Sequence, residues 1–282
     1  MMKLLMVLLC LITATLACHA QFYYKDQVVP RQNSAQWKLY RDNRVKAVKL
    51  SSFEKDGSPT DGFTGEVEVT GDFSRITSRT QIASTGNPEF WIISNYSAQG
   101  LLIKNSDTSD TYRSTTDYQY DPQGRPLSIL NTSVETDNHL VVTELHTWQY
   151  DAGGKPVGML KIKNGTDTTF VRFVQDEKGN IAEERAIRNK TELPAVYYYY
   201  DADNRLTDIV RYNLRAQRLL PDDVFEYGVG GRLTTMLVVP EGTNDFQKWF
   251  YEYDEKGLKT KDACYNRMGQ LMGKIEYHYS LK

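Results

Sequence analysis

Glu144, His146, Trp148 and Tyr150 alternate along the stretch ELHTWQY. Residues two apart in a strand share a face, so a carboxylate and an imidazole stand beside two aromatic rings. Such a pair can bind a metal ion or pass a proton, and the rings can stack on a sugar. His139 lies seven residues before His146 and falls on the opposite face, and no third ligand follows at a useful spacing. Glu144 and His146 therefore lack the ligand set of a metal centre, and no cofactor is expected. Three acidic clusters invite a calcium or glycosidase reading: Asp107, Asp110, Asp117 and Asp121; Asp201 and Asp203; Asp222 and Asp223. Glycoside hydrolysis needs two carboxylates facing one cleft, and solvated turn acids give the same spacing. There is no glycine-rich phosphate loop, nucleophile elbow or Cys-His arrangement. Cys264 has no basic neighbour on its strand face and is expected to pack rather than react. No catalytic residue is assigned, and a non-enzymatic role is favoured.

The elements that position these residues recur. Aligning YQYDPQGRP, WQYDAGGKP, FVQDEKGNI, YYYDADNRL, FEYGVGGRL and YEYDEKGLK places the fourth residue at 121, 151, 176, 201, 228 and 254, at intervals of 30, 25, 25, 27 and 26. A fixed period in this range signals a repeat architecture. Three residues further on stand Gly124, Gly154, Gly179, Asn204, Gly231 and Gly257, the two residue types that best tolerate positive φ. The Asp accepts from turn amides, and a type I turn closed by a left-handed residue makes a hairpin with a G1 bulge. Upstream, aromatic residues alternate with mostly polar ones, the period of a half-buried strand. Tyr198 and Tyr200 thus belong to a repeated aromatic face, and Tyr197 and Tyr199 to the other.

Second turns are expected midway, near Asp137-Asn138, Asn164-Gly165, Asn189, Asn213 to Arg215, and Glu241-Gly242. The result is all-β: an antiparallel meander of repeated β-hairpins, a curled sheet or open solenoid-like ribbon. No helix is expected, and residues 21–36 read as an N-terminal arm or a first strand. The aromatic columns are expected mainly to form the core, with Trp148, Tyr150, Tyr197 and Tyr199 as binding candidates for a protein or glycan.

YDPQGRP, YDAGGKP, YDADNRL and YDEKGLK resemble the tyrosine-aspartate (YD) repeats of RHS proteins and teneurins, closely over 110–260 and loosely over 40–282. The resemblance implies a long strip of β-hairpins that curls or spirals at a cell surface. The chain is too short for a closed toxin shell, and no toxin segment follows the repeats.

The first 20 residues are set aside. Met1-Met2-Lys3 precedes an apolar run, Leu4 to Ala17, shorter than the roughly 20 residues that span a bilayer, and reads as a secretory leader. Cys18-His19-Ala20 before Gln21 suits cleavage after Ala20, whereas Thr15-Leu16-Ala17-Cys18 resembles a lipobox ending the leader at 17, with Cys18 lipidated. Both readings stay open. The leader holds Lys3 and no acid, so its removal takes the net charge from −2 to −3. With no basic block, nucleic acid is excluded as a partner, and membrane contact is expected only through a lipid on Cys18. The body, 37–282, retains Cys264 alone, so no internal disulfide forms. These features describe an exported binding or structural repeat protein of the bacterial envelope, periplasmic, membrane-anchored or surface-exposed. An envelope glycan hydrolase and an outer-membrane β-barrel are the alternatives. The barrel requires an apolar outer band, against which Gln149, Glu226 and Glu252 count if the aromatic face turns inward.

Overall fold

A computed structural model describes residues 21–83, 89–109, 111–213, 216–240 and 245–282. The leader, including Cys10 and Cys18, lies outside these residues, as do Asp110, Arg215 and Glu241-Gly242. The period-2 segments form antiparallel strands as their alternation dictates, in two compact units. The larger comprises 21–49, 61–193 and 279–282; the smaller comprises 50–60 and 194–278.

In the larger unit, a π-helical turn, Tyr24–Val28, leads into helix α1, Val29–Asp42. The strands that follow are β1 (Val45–Glu54, shared with the smaller unit), β2 (Phe63–Val69), β3 (Arg75–Ile82), β4 (Phe90–Tyr96) and β5 (Leu102–Thr108). They continue with β6 (Tyr112–Tyr120), β7 (Pro126–Glu135), β8 (Val141–Tyr150), β9 (Pro156–Lys163), β10 (Asp167–Gln175), β11 (Ile181–Arg188) and the two-residue β12 (Thr191–Glu192). The smaller unit holds β13 (Val196–Tyr200), β14 (Leu206–Asn213), β15 (Arg218–Tyr227), β16 (Leu233–Val238), β17 (Gln247–Tyr253), β18 (Lys259–Asn266) and β19 (Leu271–Leu281), whose last residues return to the larger unit.

Apart from β12 and β13, which both pair with β11, each strand pairs with its sequence neighbours, and β19 pairs with β1. Because β11 pairs with both β12 and β13, those two count as one strand interrupted near Pro194, which has no N–H to give a ladder. The meander therefore closes into an 18-strand β-barrel with no free edge. This corrects the open curled sheet or solenoid-like ribbon. The resemblance to YD repeats and RHS proteins is corrected on the same ground: the hairpins join end to end in a ring instead of extending as a ribbon. The barrel alternative describes the molecule better than the ribbon.

The absence of helix is a second correction. Residues read as an arm or first strand begin a helical segment instead. Pro30 sits in the first turn, where its missing N–H costs nothing. Pro30, Trp37 and Tyr40 are its buried residues, spaced seven and three apart, one stripe of a 3.6-residue helix. The helix ends at Asn43, whose side chain donates to the Leu39 carbonyl at 2.9 Å, before Arg44 turns left-handed at φ 54°.

This segment touches strands spread widely around the larger unit. Tyr40 meets Tyr279 of β19 edge-on, Trp37 stacks on Tyr96 of β4, and the amides of Phe22 and Tyr23 reach Glu184 of β11. Adjacent strands lie about 4.8 Å apart, so β19 to β11 through β1 measures on the order of 50 Å along the sheet. A helical stretch over 22–42 is only about 30 Å long. The sheet of this unit must therefore wrap around the segment, which lies on its concave face.

Candidate functional site

The repeated turns join neighbours in series. At Asp121, Oδ1 accepts from the amides of Gln123 and Arg125 at 2.9 and 2.8 Å, and Oδ2 accepts from Arg125 Nε at 2.6 Å. Asp201 repeats this with Asp203 and Arg205 at 2.9, 2.9 and 2.7 Å. The Arg205 amide, then its side chain, hold the Asp201 carboxyl below the usual carboxylate range. The structure places Gly124, Gly154, Gly179, Asn204, Gly231 and Gly257 at φ 76°, 79°, 83°, 59°, 73° and 83°. Arg125 lies over the ring of Tyr150 in the next repeat at 4.8 Å, as Arg205 lies over Tyr227 at 5.0 Å. In four of the repeats the tyrosine before the turn reaches back to the preceding repeat. Tyr120, Tyr150, Tyr227 and Tyr253 donate to the carbonyls of Leu102, Pro126, Leu206 and Leu233 at 2.7 to 2.8 Å. The Tyr-Asp pair is thus a fastening between successive hairpins.

Beneath the helical segment lies a buried polar cluster. Glu144, His146, Trp148 and Tyr150 share the concave face of β8. The missing third group arrives from the π-helical turn: Asp26 Oδ2 accepts from His146 Nδ1 at 2.6 Å and from Trp148 Nε1 at 3.1 Å. On the other side His146 Nε2 meets Glu144 Oε1 at 2.9 Å, and Lys161 Nζ meets Glu144 Oε2 at 2.6 Å. Both ring nitrogens face carboxylate oxygens, so the imidazolium is the form that satisfies both. With its nitrogens engaged, His146 has no lone pair for a metal, and no metal-holding group of three acidic, His or Cys residues occurs among the described residues. Gln27 donates to Tyr150 Oη at 2.8 Å, and Glu184, fully buried on β11, accepts from the amides of Phe22 and Tyr23 at 3.2 and 2.9 Å. These contacts fasten the segment to the barrel wall.

The sequence placed Glu144 and His146 on one face but missed Asp26, which arrives from 120 residues upstream. Lys161 was within reach, because counting back across the Gly154 turn sets it opposite His146. Trp148 is buried under the segment and stacked on Phe173 at 5.0 Å, so a sugar ring has no access to it. Tyr150 is partly covered, whereas Tyr199 is exposed on the opposite face of β13 from buried Tyr198. The acidic clusters are dispersed. Asp121 and Asp201 serve turns, Asp117 pairs with Lys104 at 3.1 Å, and Asp222 pairs with Arg211. Cys264 is buried opposite Trp249.

No family model matches the chain, and no curated protein matches it. Among solved structures, a porin-like protein from Bacteroides uniformis aligns over 84% of this chain and 97% of its own, at 10% identity and TM-score 0.42. A porin-like protein from Bacteroides vulgatus aligns over 84% and 98%, at 12% identity and TM-score 0.28. The Tc holotoxin pore of Photorhabdus luminescens aligns over 79% of this chain and 15% of that one, at 12% identity and TM-score 0.31. None of these scores reaches 0.5, so the barrel is argued from this chain's own strand pairing.

Proposed function

We propose that the chain is an exported outer-membrane β-barrel whose larger unit is packed by its own N-terminal segment, a structural or binding element of the envelope. The observation that carries this reading is the closed ring of strand pairings, with the sheet of the larger unit packed on α1 and its entry turn. Among the described residues no helix is long and apolar enough to cross a membrane; a barrel crosses with strands. On the convex face, β7 to β10 carry Leu127, Leu130, Leu145, Leu160, Ile162 and Phe170, the last 63% exposed. These apolar side chains suit hydrocarbon, and hydrocarbon contact is assigned to β7–β10. The exposed Gln149 and Arg172 interrupt that face, and on the convex face of β5 and β6 Lys104 pairs with Asp117. Fractionation of a Gram-negative host expressing the full chain tests the proposal. Recovery with outer membranes, resistant to alkaline extraction and with heat-dependent gel mobility, is expected. Recovery wholly in the soluble periplasmic fraction would overturn it.

A further inference from the structure

We infer that leader removal itself creates the charge that seats the N-terminal segment: the α-ammonium of Gln21, freed by cleavage after Ala20, pairs with the buried carboxylate of Glu184. The inference rests on the export reading. Glu184 is 0% exposed, and its two oxygens accept from two successive main-chain nitrogens, those of Phe22 and Tyr23. Phe22 and Tyr23 are themselves buried, Phe22 packing edge-on against His146 and Tyr23 against Phe173. The start of the segment is therefore fixed against β11. The next nitrogen in the series belongs to Gln21, and consecutive main-chain nitrogens lie within about 4 Å of one another.

In the precursor that nitrogen is a neutral amide with one hydrogen. Hydrolysis of the Ala20–Gln21 bond adds water: the hydroxyl goes to the Ala20 carbonyl carbon, and the nitrogen leaves as an amine that takes a proton at neutral pH. A cation with three donors then stands within reach of a carboxyl group that is removed from water and accepts on both oxygens. Lys25 is a cation within electrostatic reach of Glu184. It belongs to the precursor as well, so only the α-ammonium distinguishes the processed chain.

The test starts with protein purified from an exporting host. Intact mass and N-terminal sequencing are expected to give a chain beginning at Gln21 with a free amine. A terminus at Cys18, or Gln21 cyclised with loss of ammonia, overturns the inference. Selective acylation of α-amines near neutral pH is expected to run at least tenfold slower in the folded than in the unfolded protein; equal rates overturn it. Glu184→Gln should raise the folded rate towards the unfolded one. Should that variant not fold, the wild-type ratio decides alone. A chain keeping Met-Ala before Gln21 should be cut by trypsin after Lys25 and Arg31 at least tenfold faster than the processed chain. Fractionation is read separately: a soluble protein with a protected terminus removes the membrane assignment and leaves this inference standing.

Discussion

The two units cover their buried faces by different means. In the larger, the concave face of β6 to β11 is rich in polar groups, among them Thr116, Asn131, Ser133, Glu144, His146, Lys161 and Glu184. Thr116, Asn131 and Ser133 bond within the sheet, and one helical segment brings Asp26 to His146, Gln27 to Tyr150 and two main-chain amides to Glu184. In the smaller, Trp249, Tyr251 and Cys264 pack with Leu233, Met236, Tyr253 and Met272. Met272 Sδ lies 4.0 Å from Cys264 Sγ and Met236 Sδ 3.9 Å from Tyr251 Oη. The fully buried carboxylate beside them, Asp262, is held at 3.2 Å by Lys259 Nζ and at 2.7 Å by Tyr277 Oη, from the unit's own strands. The turn fastening is nevertheless common to both, with Asp121, Arg125 and Tyr150 in one and Asp201, Arg205 and Tyr227 in the other. Local turn chemistry is therefore independent of what fills the face behind it.

The largest expected effects separate these two ways of filling. Trp249→Ala removes a ring that is 2% exposed and should cost about 3–5 kcal/mol, read by denaturant unfolding. Asp26→Ala leaves His146 and the Trp148 N–H without their shared acceptor and should cost about 3 kcal/mol. The two should differ in rescue. Adding His146→Leu to Asp26→Ala removes the stranded cation and restores part of the loss, whereas a second polar deletion leaves the Trp249 cavity unfilled. A loss below 1 kcal/mol for Trp249→Ala, or no rescue of Asp26→Ala, would erase the distinction drawn here.

What the sequence made legible follows the same division between local and distant. The turns were legible because a left-handed residue after Asp-x-x is a requirement met within four residues. The face shared by Glu144, His146 and Trp148 was legible because strand alternation is local too. Closure was not, since β1 and β19 lie at opposite ends of the chain and no pattern in either names its partner. The helical segment was not, since its buried stripe consists of Pro30, Trp37 and Tyr40, and the two aromatics are as common in strands. Asp26 was invisible for that reason: with the segment read as an arm, nothing brought it to His146. The aromatic columns were legible as core, but which were under a helix and which under one another was not.

A middle-sized effect isolates the fastening within the larger unit. Gly154 and Gly165 both have positive φ, 79° and 73°. A Cβ at Gly165 meets nothing within 4 Å, whereas one at Gly154 overlaps the Arg125 guanidinium. Gly165→Ala should cost about 1 kcal/mol from backbone strain alone. Gly154→Ala should cost more, by on the order of 1 kcal/mol for displacing Arg125 from Asp121 and Tyr150. Arg125→Ala in the Gly154→Ala background should remove that excess. Asn204→Gly in the smaller unit should be close to neutral. Equal melting temperatures for the two alanine variants would show that Arg125 moves aside freely and fastens nothing.

The smallest effect asks whether the turns of both units respond alike to acid. In the larger unit, hydrogen bonds from the Ser74 amide, then from the Thr70 and Ser74 hydroxyls, hold Asp72 down at about 2. In the smaller, the Arg205 amide and side chain lower Asp201. A carboxyl whose folded value lies below its unfolded one binds fewer protons when folded. Its stabilisation is complete above the unfolded value, near 4, and is lost as pH falls through the folded value. Unfolding midpoints should therefore hold between pH 7 and 5 with respect to these groups and decline from about 4 towards 2. Asp72→Asn and Asp201→Asn should each flatten that decline by a similar small amount. Asp72 is exposed and Asp201 only partly covered, so added salt should weaken the Asp201 contribution through its Arg205 pair. It should leave Asp72, held by neutral donors, nearly unchanged. The opposite salt response would mean that charge pairing, and not turn hydrogen bonding, sets the acid sensitivity of the larger unit.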